Sequence, residues 1–256
     1  MPIKPLGTKA YGSIPHLPGS RTGPADRTIT AGQARICTER KRDDRDRVIV
    51  QEKLDGSCCA VARIGDEFVP LTRPGYYAGD SPYLQHWLFA AWVAMNRSRF
   101  VTLADGERVV GEWLAQAHGT FYNLPHDPFV VFDVMHGTQR RPLEYVIRFT
   151  AAAGLKMPQL AGVNGPYPVE DALHRLDPRI HGAVGNIEGV VYRVERAGKV
   201  DFLAKYVRPD KVDGKYLPEI SHQPEVWNLW HGRPVTERFD VDQIKRWKEQ
   251  HDKGKG

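Results

Sequence analysis

Glu52-Lys53-Leu54-Asp55-Gly56-Ser57 begins where an apolar run, Val48-Ile49-Val50, ends. A lysine at the end of a predicted strand, two residues before an Asp-Gly turn, places an amine where covalent chemistry can reach it. Such an amine is nucleophilic only when deprotonated, which requires partial desolvation or a neighbouring cation to lower its pKa. Gly56 tolerates turn geometry and close backbone approach, and Ser57 brings a hydroxyl donor to the same turn. Lysine before Asp-Gly is also common in surface hairpins, so the hexapeptide decides nothing alone.

Further strand-like runs follow in a particular order. Val109-Val110-Gly111-Glu112-Trp113-Leu114 carries an acid inside an apolar run, and Phe129-Val130-Val131-Phe132-Asp133-Val134 sets an aromatic beside an acid. Ile187-Glu188-Gly189-Val190-Val191-Tyr192 opens on a second acid, and Phe202-Leu203-Ala204-Lys205-Tyr206 supplies a second lysine. Taken singly, Glu112 reads as a solvent-facing strand acid, Glu188 as a turn acid and Phe132 as core. Arg73, in Leu71-Thr72-Arg73-Pro74-Gly75, reads as a solvated charge, and Asp133 as a group that orients its neighbours. The information lies in their joint order around Lys53.

That order resembles the covalent nucleotidyltransferase superfamily, which comprises ATP-dependent DNA and RNA ligases and messenger-RNA capping enzymes. The closest resemblance is to the small RNA ligases of phages and bacteria, over roughly residues 10 to 210. It implies that Lys53 attacks the nucleotide α-phosphate and carries AMP as a phosphoramide, with Glu52, Asp55 and Gly56 shaping the nucleotide-binding motif. It further implies Arg73 near the nucleotide and the RNA end, Glu112 on the ribose or a metal, and Phe132 stacked on the adenine. Glu188 is implied as a metal-linked acid and Lys205 as a lysine on the α-phosphate, so that Lys53, Lys205 and Glu188 form the catalytic set. Gly12-Ser13-Ile14-Pro15-His16-Leu17-Pro18-Gly19-Ser20-Arg21 is similar to a segment that precedes the lysine motif in such ligases. ATP as substrate, Mg²⁺ or Mn²⁺ held through Glu112 and Glu188, and RNA with 5′-phosphate and 3′-hydroxyl ends follow as implied partners, in an RNA-repair setting.

The sequence departs from the family in one place. The last motif usually has two lysines separated by one residue, and Val207 stands where the second falls. Either Arg208 or Lys211 supplies the missing charge, or the second lysine's task is weaker here. Arg208-Pro209-Asp210-Lys211 looks like the Arg-x-Asp-Lys motif of DNA ligases, but that motif belongs to a separate oligonucleotide-binding barrel well downstream, so the match is coincidence.

Forming enzyme-AMP needs an amine in line with the α-phosphorus and positive charge for the leaving pyrophosphate. Lys205 and a divalent cation beside Lys53 are expected to depress its pKa by like-charge repulsion. Mg²⁺ usually keeps several waters, so Glu112, Glu188 and Asp55 are expected to reach it from outside its first ring of ligands. The implied reaction makes lysyl-AMP, moves AMP to a 5′-phosphate RNA end, and seals when a 3′-hydroxyl displaces AMP. A DNA ligase or a GTP-dependent capping guanylyltransferase is the alternative within the superfamily. A nucleotide- or RNA-binding module that has lost sealing is the alternative of another class, with Val207 its support.

Composition agrees with this reading. At 256 residues the chain builds one sizeable core or two small domains. A net charge of +5 and a pI near 9.1 suit a polyanionic partner. The basic clusters at Arg35–Arg47 and Lys245–Lys255 fit either phosphate contact or a solvated, self-paired face. Three cysteines without Cys-x-x-Cys spacing point to a reducing cytoplasm. No apolar stretch reaches membrane-spanning length, and no signal-peptide pattern opens the chain. His118, His126 and His136 lack ligand spacing and read as loop or supporting residues.

The elements that must hold these groups can be read from periodicity. Residues 1–30, rich in proline and glycine, read as an extended surface segment. Strands are expected at 46–52, 58–64, 67–72, 99–104, 107–115, 128–134, 188–194 and 199–206, with hairpin turns at Gly65-Asp66, Asp105-Gly106 and Ala197-Gly198. Helices are expected from Ser81 to Met95, Pro142 to Ala153, Pro168 to Leu176 and Val241 to His251. Alone, this pattern gives a mixed α+β chain. The resemblance implies a nucleotidyltransferase domain over 31–215, two antiparallel sheets flanked by helices with the nucleotide between them. A small helical extension is expected over 216–256, too short for an oligonucleotide-binding barrel, which favours RNA ligase over DNA ligase. Its Trp227, Trp230 and Trp247 are expected to dock on the domain rather than stack on bases.

Overall fold

The computed structural model describes residues 3–253 as a mixed α+β fold. One antiparallel sheet, order β11-β10-β1-β8, comprises β1 (Asp46–Lys53), β8 (Leu160–Gly165), β10 (Gly189–Arg196) and β11 (Lys199–Val207). A second, order β3-β2-β4-β6-β7, comprises β2 (Ser57–Ile64), β3 (Glu67–Thr72), β4 (Glu107–Trp113), β6 (Phe129–His136) and β7 (Gln139–Arg140). A small third sheet joins β5 (Phe121–Leu124), β9 (Ala183–Val184), β12 (Leu229–Trp230) and β13 (Arg233–Pro234), with β5 and β12 parallel. The helices are α1 (Ala31–Thr38), α2 (Leu84–Met95), α3 (Leu143–Ala153), α4 (Val169–His174), α5 (Pro218–Ser221) and α6 (Val241–Lys253).

The two large sheets face each other, and alternation along each strand sorts the side chains. Val48 and Val50 of β1 join Val190, Tyr192 and Val194 on the outer face of the first sheet, under Ile36 and Cys37 of α1 and Ala172 of α4. On the second sheet Val61, Val109, Phe129 and Val131 turn outward to Phe89, Trp92 and Phe149 of α2 and α3. Its inner residues Ala60, Ala62, Val110 and Met135 meet Leu203 of β11. The Ala197-Gly198 turn has φ of 49° and 75°, the left-handed pair that matches the twist of a two-residue hairpin.

Several expectations change. Residues 99–104 are not a strand: a 3₁₀ turn spans Arg97–Phe100, and Phe100 and Leu103 plug into the core. The reason is topological, since β4 already has β2 on one side and β6 on the other. The helix expected from Ser81 starts at Leu84, because the Ser81 hydroxyl is engaged with His86 instead of capping. The amino-terminal segment does not simply lie on the surface: Ala10, Tyr11, His16 and Leu17 are buried. The extension after residue 216 holds β12 and β13 as well as α5 and α6, because Leu229 and Trp230 pair with Asn123 and Leu124. Trp227 and Trp230 pack against the main core, as docking required. Lys255 and the end of the basic carboxy-terminal cluster lie outside the described residues.

Candidate active site

Register decides which functional groups meet. Ile49, Gln51 and Lys53 of β1 face the second sheet, and pairing lays Gln51–Val191–Lys205 and Ile49–Arg193–Leu203 as rows across that face. Glu112 of β4 and Phe132 of β6 come from the opposing sheet. Between the sheets lies a cavity of about 390 Å³, lined by Lys53, Arg73, Glu112, Phe132 and Lys205 among others.

The Lys53 ammonium donates to Glu188 Oε2 at 2.6 Å. Gly189 permits this approach: a Cβ there would lie 1.9 Å from the Tyr206 carbonyl, so only glycine lets β10 close on β11 beside Glu188. Burial alone would pull the Lys53 pKa down, but the carboxylates of Glu188, Glu112 and Asp55 outweigh it and hold the amine above its usual range. Of the two cations expected to depress it, Lys205 is outweighed by these acids. Lys205 itself is pushed down, by burial and then by the Lys53 charge. Glu112 accepts from the Gly56 amide at 3.1 Å, and burial raises its pKa to about 8. Burial also raises Glu188, against the pull of Lys53.

Asp55 sits at a junction. Its Oδ2 accepts from the Gly119 amide at 2.8 Å and pairs with Lys211 Nζ at 2.6 Å, while its amide donates to the Tyr122 hydroxyl at 3.1 Å. Burial opposes ionisation, but Lys211 holds the Asp55 carboxyl below its usual range. Val207 is buried in the row of Lys53 and Gly189. Of the two cations weighed for the place of a second lysine, Lys211 reaches the motif and Arg208 pairs with Asp210 instead.

Phe132 owes its position to a β-bulge. Val110 pairs with Asp133 and Gly111 with Val131, so Phe132 is the extra residue and the face order of β6 shifts by one. Phe132 then borders the cavity, its ring 5.2 Å from Tyr11 at 63°. Asp133 turns inward too, accepting from the Tyr11 hydroxyl and from Arg193 at 3.1 Å each. Arg73 borders the cavity and donates to Ser13 Oγ at 2.8 Å, in the Gly12–Arg21 segment. Glu52 differs from its neighbours. Alternation turns its side chain away from the cavity, where it accepts from Gln159 Nε2 at 2.7 Å and burial raises its pKa to about 7.

Sequence reasoning missed Gln51 and Tyr122. Gln51 was legible, two residues before Lys53 and so on the same strand face; its buried Nε2 has no protein partner and borders the cavity. Tyr122 reaches Asp55 from the short β5, which no local pattern marks. Among the described residues no three His, Cys, Asp or Glu side chains are close enough to hold a metal. Glu112 and Glu188, both acting on Lys53, are nevertheless the oxygen donors that a hard divalent cation prefers.

Two facing antiparallel sheets with a lysine amine, acids and a second lysine between them define the nucleotidyltransferase class of fold. Residues 46–207 match the RNA ligase family, and the chain belongs to that family. No protein with a curated description matches it. Among solved structures, an archaeal ATP-dependent RNA ligase is similar at 23% identity and a TM-score of 0.44, over 63% of this chain and 42% of that one. An apo mutant of the Naegleria gruberi RNA ligase is similar at 16% identity and a TM-score of 0.46, over 72% and 54%. A putative ATP-dependent DNA ligase from Aquifex aeolicus is similar at 15% identity and a TM-score of 0.43, over 79% and 54%. The chain thus spans about half of each of these structures, or less.

Proposed function

We propose that the protein is an ATP-dependent RNA ligase that joins a 5′-phosphate to a 3′-hydroxyl RNA end through lysyl-AMP and RNA-adenylate. The observation that carries this reading is the Lys53 amine in the inter-sheet cavity, 2.6 Å from an acid able to take its proton. In the first step Lys53 Nζ bonds to the α-phosphorus, the bond to pyrophosphate breaks, and Glu188 accepts the amine proton. Lys205 faces the same space and neutralises charge on the α-phosphate. Phe132 offers a ring for the base, and the Gln51 amide a donor to its edge. Arg73 stands where the nucleotide or the RNA end passes. A Mg²⁺ or Mn²⁺ ion held through Glu112 and Glu188 would supply neutralising charge on the phosphates.

In the second step an oxygen of the RNA 5′-phosphate bonds to the AMP phosphorus and the P–N bond to Lys53 breaks. A 3′-hydroxyl then displaces AMP. The test is the intact mass of the protein after incubation with ATP and Mg²⁺, beside Lys53→Ala. A gain of one AMP in wild type only is expected. An adduct that persists in Lys53→Ala overturns the assignment of the nucleophile, and ATP binding without an adduct would instead favour a sealing-inactive module.

A further inference from the structure

A row of three side chains at the cavity remains without a task. His86, in the first turn of α2, lies between two hydroxyls: Nδ1 is 2.6 Å from Ser81 Oγ and Nε2 is 2.7 Å from Ser57 Oγ. Both Ser57 and His86 line the cavity. The hydrogen-bond inventory sets the direction of this row. Ser81 is buried and its Oγ accepts from the Tyr83 amide at 3.3 Å; among the described residues His86 Nδ1 is the acceptor its own proton meets, so the tautomer that satisfies both groups accepts at Nδ1. A neutral ring that accepts at Nδ1 carries its proton on Nε2 and donates it to Ser57 Oγ. Burial, aided by His118, holds the ring pKa at about 4, so the imidazole is neutral near pH 7. Ser57 therefore receives a hydrogen bond and keeps a proton to give. The Cys59 thiol beside it is a weak acceptor.

Position narrows what would receive that proton. The rows through Gln51 and Ile49 lie upstream of Lys53 on β1, toward Phe132 and Arg193. Ser57 pairs with Trp113, one position past Glu112 and on the side away from Phe132, so it and His86 border the end of the cavity beyond Lys53. Groups there belong to whatever extends past the reacting phosphorus. We infer that the Ser57 hydroxyl donates to a nonbridging phosphate oxygen on the side of Lys53 away from the base, and that His86 positions it. This rests on nucleotidyl transfer at Lys53. Two sources present that oxygen: the β-phosphate of the triphosphate, which leaves as pyrophosphate, and the 5′-phosphate of the RNA end.

Three rates in wild type, Ser57→Ala, His86→Leu and His86→Gln test the inference. They are lysyl-AMP formation from ATP, its reversal by pyrophosphate, and AMP transfer from charged protein to 5′-phosphorylated RNA. Ser57→Ala and His86→Leu should slow the affected step by about 10- to 100-fold, the loss of one hydrogen bond to a charged group. His86→Gln should recover much of that rate, because its Nε2 amide can donate to Ser57. Slowed charging and reversal assign the contact to the triphosphate tail; slowed transfer alone assigns it to the RNA end. Ser57→Ala at wild-type rates in all three overturns the inference. His86→Gln as impaired as His86→Leu, at the wild-type melting temperature, overturns the part given to His86. Affinity for inorganic pyrophosphate separates the underlying reading from this one. Wild type that never charges but binds pyrophosphate through Ser57 faults Lys53 alone, and wild type that does neither overturns both.

Discussion

At the scale of single residues, the site holds more negative charge against Lys53 than a resting nucleophile needs. Glu188, Glu112 and Asp55 favour the protonated amine, and the proposed first step requires that proton to pass to Glu188. Phe132 tests the cavity's proposed use: Phe132→Ala should weaken ATP binding by about 1–3 kcal/mol, the typical worth of base stacking on an aromatic. Unchanged affinity by calorimetry would return Phe132 to the core. Glu52 makes a prediction about stability. Its pKa rises from 4.5 unfolded to about 7 folded, so its contribution is fully present below the unfolded value and is lost as pH rises through the folded one. Wild type should therefore lose on the order of 3 kcal/mol relative to Glu52→Gln between pH 4.5 and 8. Parallel urea-unfolding profiles for the two proteins would remove Glu52 as the cause.

At the scale of elements, strands with alternating or continuous apolar runs and clear turn signals were legible: β1 to β4, β6, β10 and β11 fall within two residues of their expected bounds. The structure brings Lys53, Glu112, Phe132 and Lys205, each on one of those strands, to one inter-sheet cavity, with Glu188 just ahead of β10 on the Lys53 amine. What local pattern does not carry is long-range pairing. β5, β9 and β12 are two to four residues long and exist through partners far along the chain. The same holds for the bulge at Phe132, which neither apolar order nor residue type announces. Thr30 with Gln33 does form a capping box for α1, a signal present in the sequence and passed over. Asn228, just ahead of β12, shows how much one residue beside a short element can hold: its side chain accepts from the Tyr122 amide at 2.7 Å and donates to the Leu114 carbonyl at 2.9 Å, fully buried. Asn228→Ala leaves both without partners and should cost about 1–3 kcal/mol in urea unfolding. A smaller loss would mean that water replaces the amide.

At the scale of the whole molecule, the carboxy-terminal extension is continuous with the domain that carries Lys53. It completes the third sheet through β12, lays Trp227 and Trp230 on the main core, and reaches Asp55 through Asn228 and Tyr122. Ending the chain at residue 215 should therefore yield an insoluble or non-cooperatively melting product, read by circular dichroism. A truncated protein that melts cooperatively at the wild-type temperature would make the extension an independent unit. In the Arg35–Arg47 cluster, Arg42 pairs with Asp46 and Asp201, Arg45 with Asp43 and Arg47 with Glu144. The amino-terminal segment has a further effect on the molecule in solution. By pairing Pro15 and Leu17 with the backbone of Lys205, it fills hydrogen-bonding positions on the outer edge of β11. A bare edge is a template on which another copy can add itself, strand by strand, into an aggregate. The segment that walls the cavity thus also works as a guard on solubility, keeping neighbouring molecules apart as they become crowded.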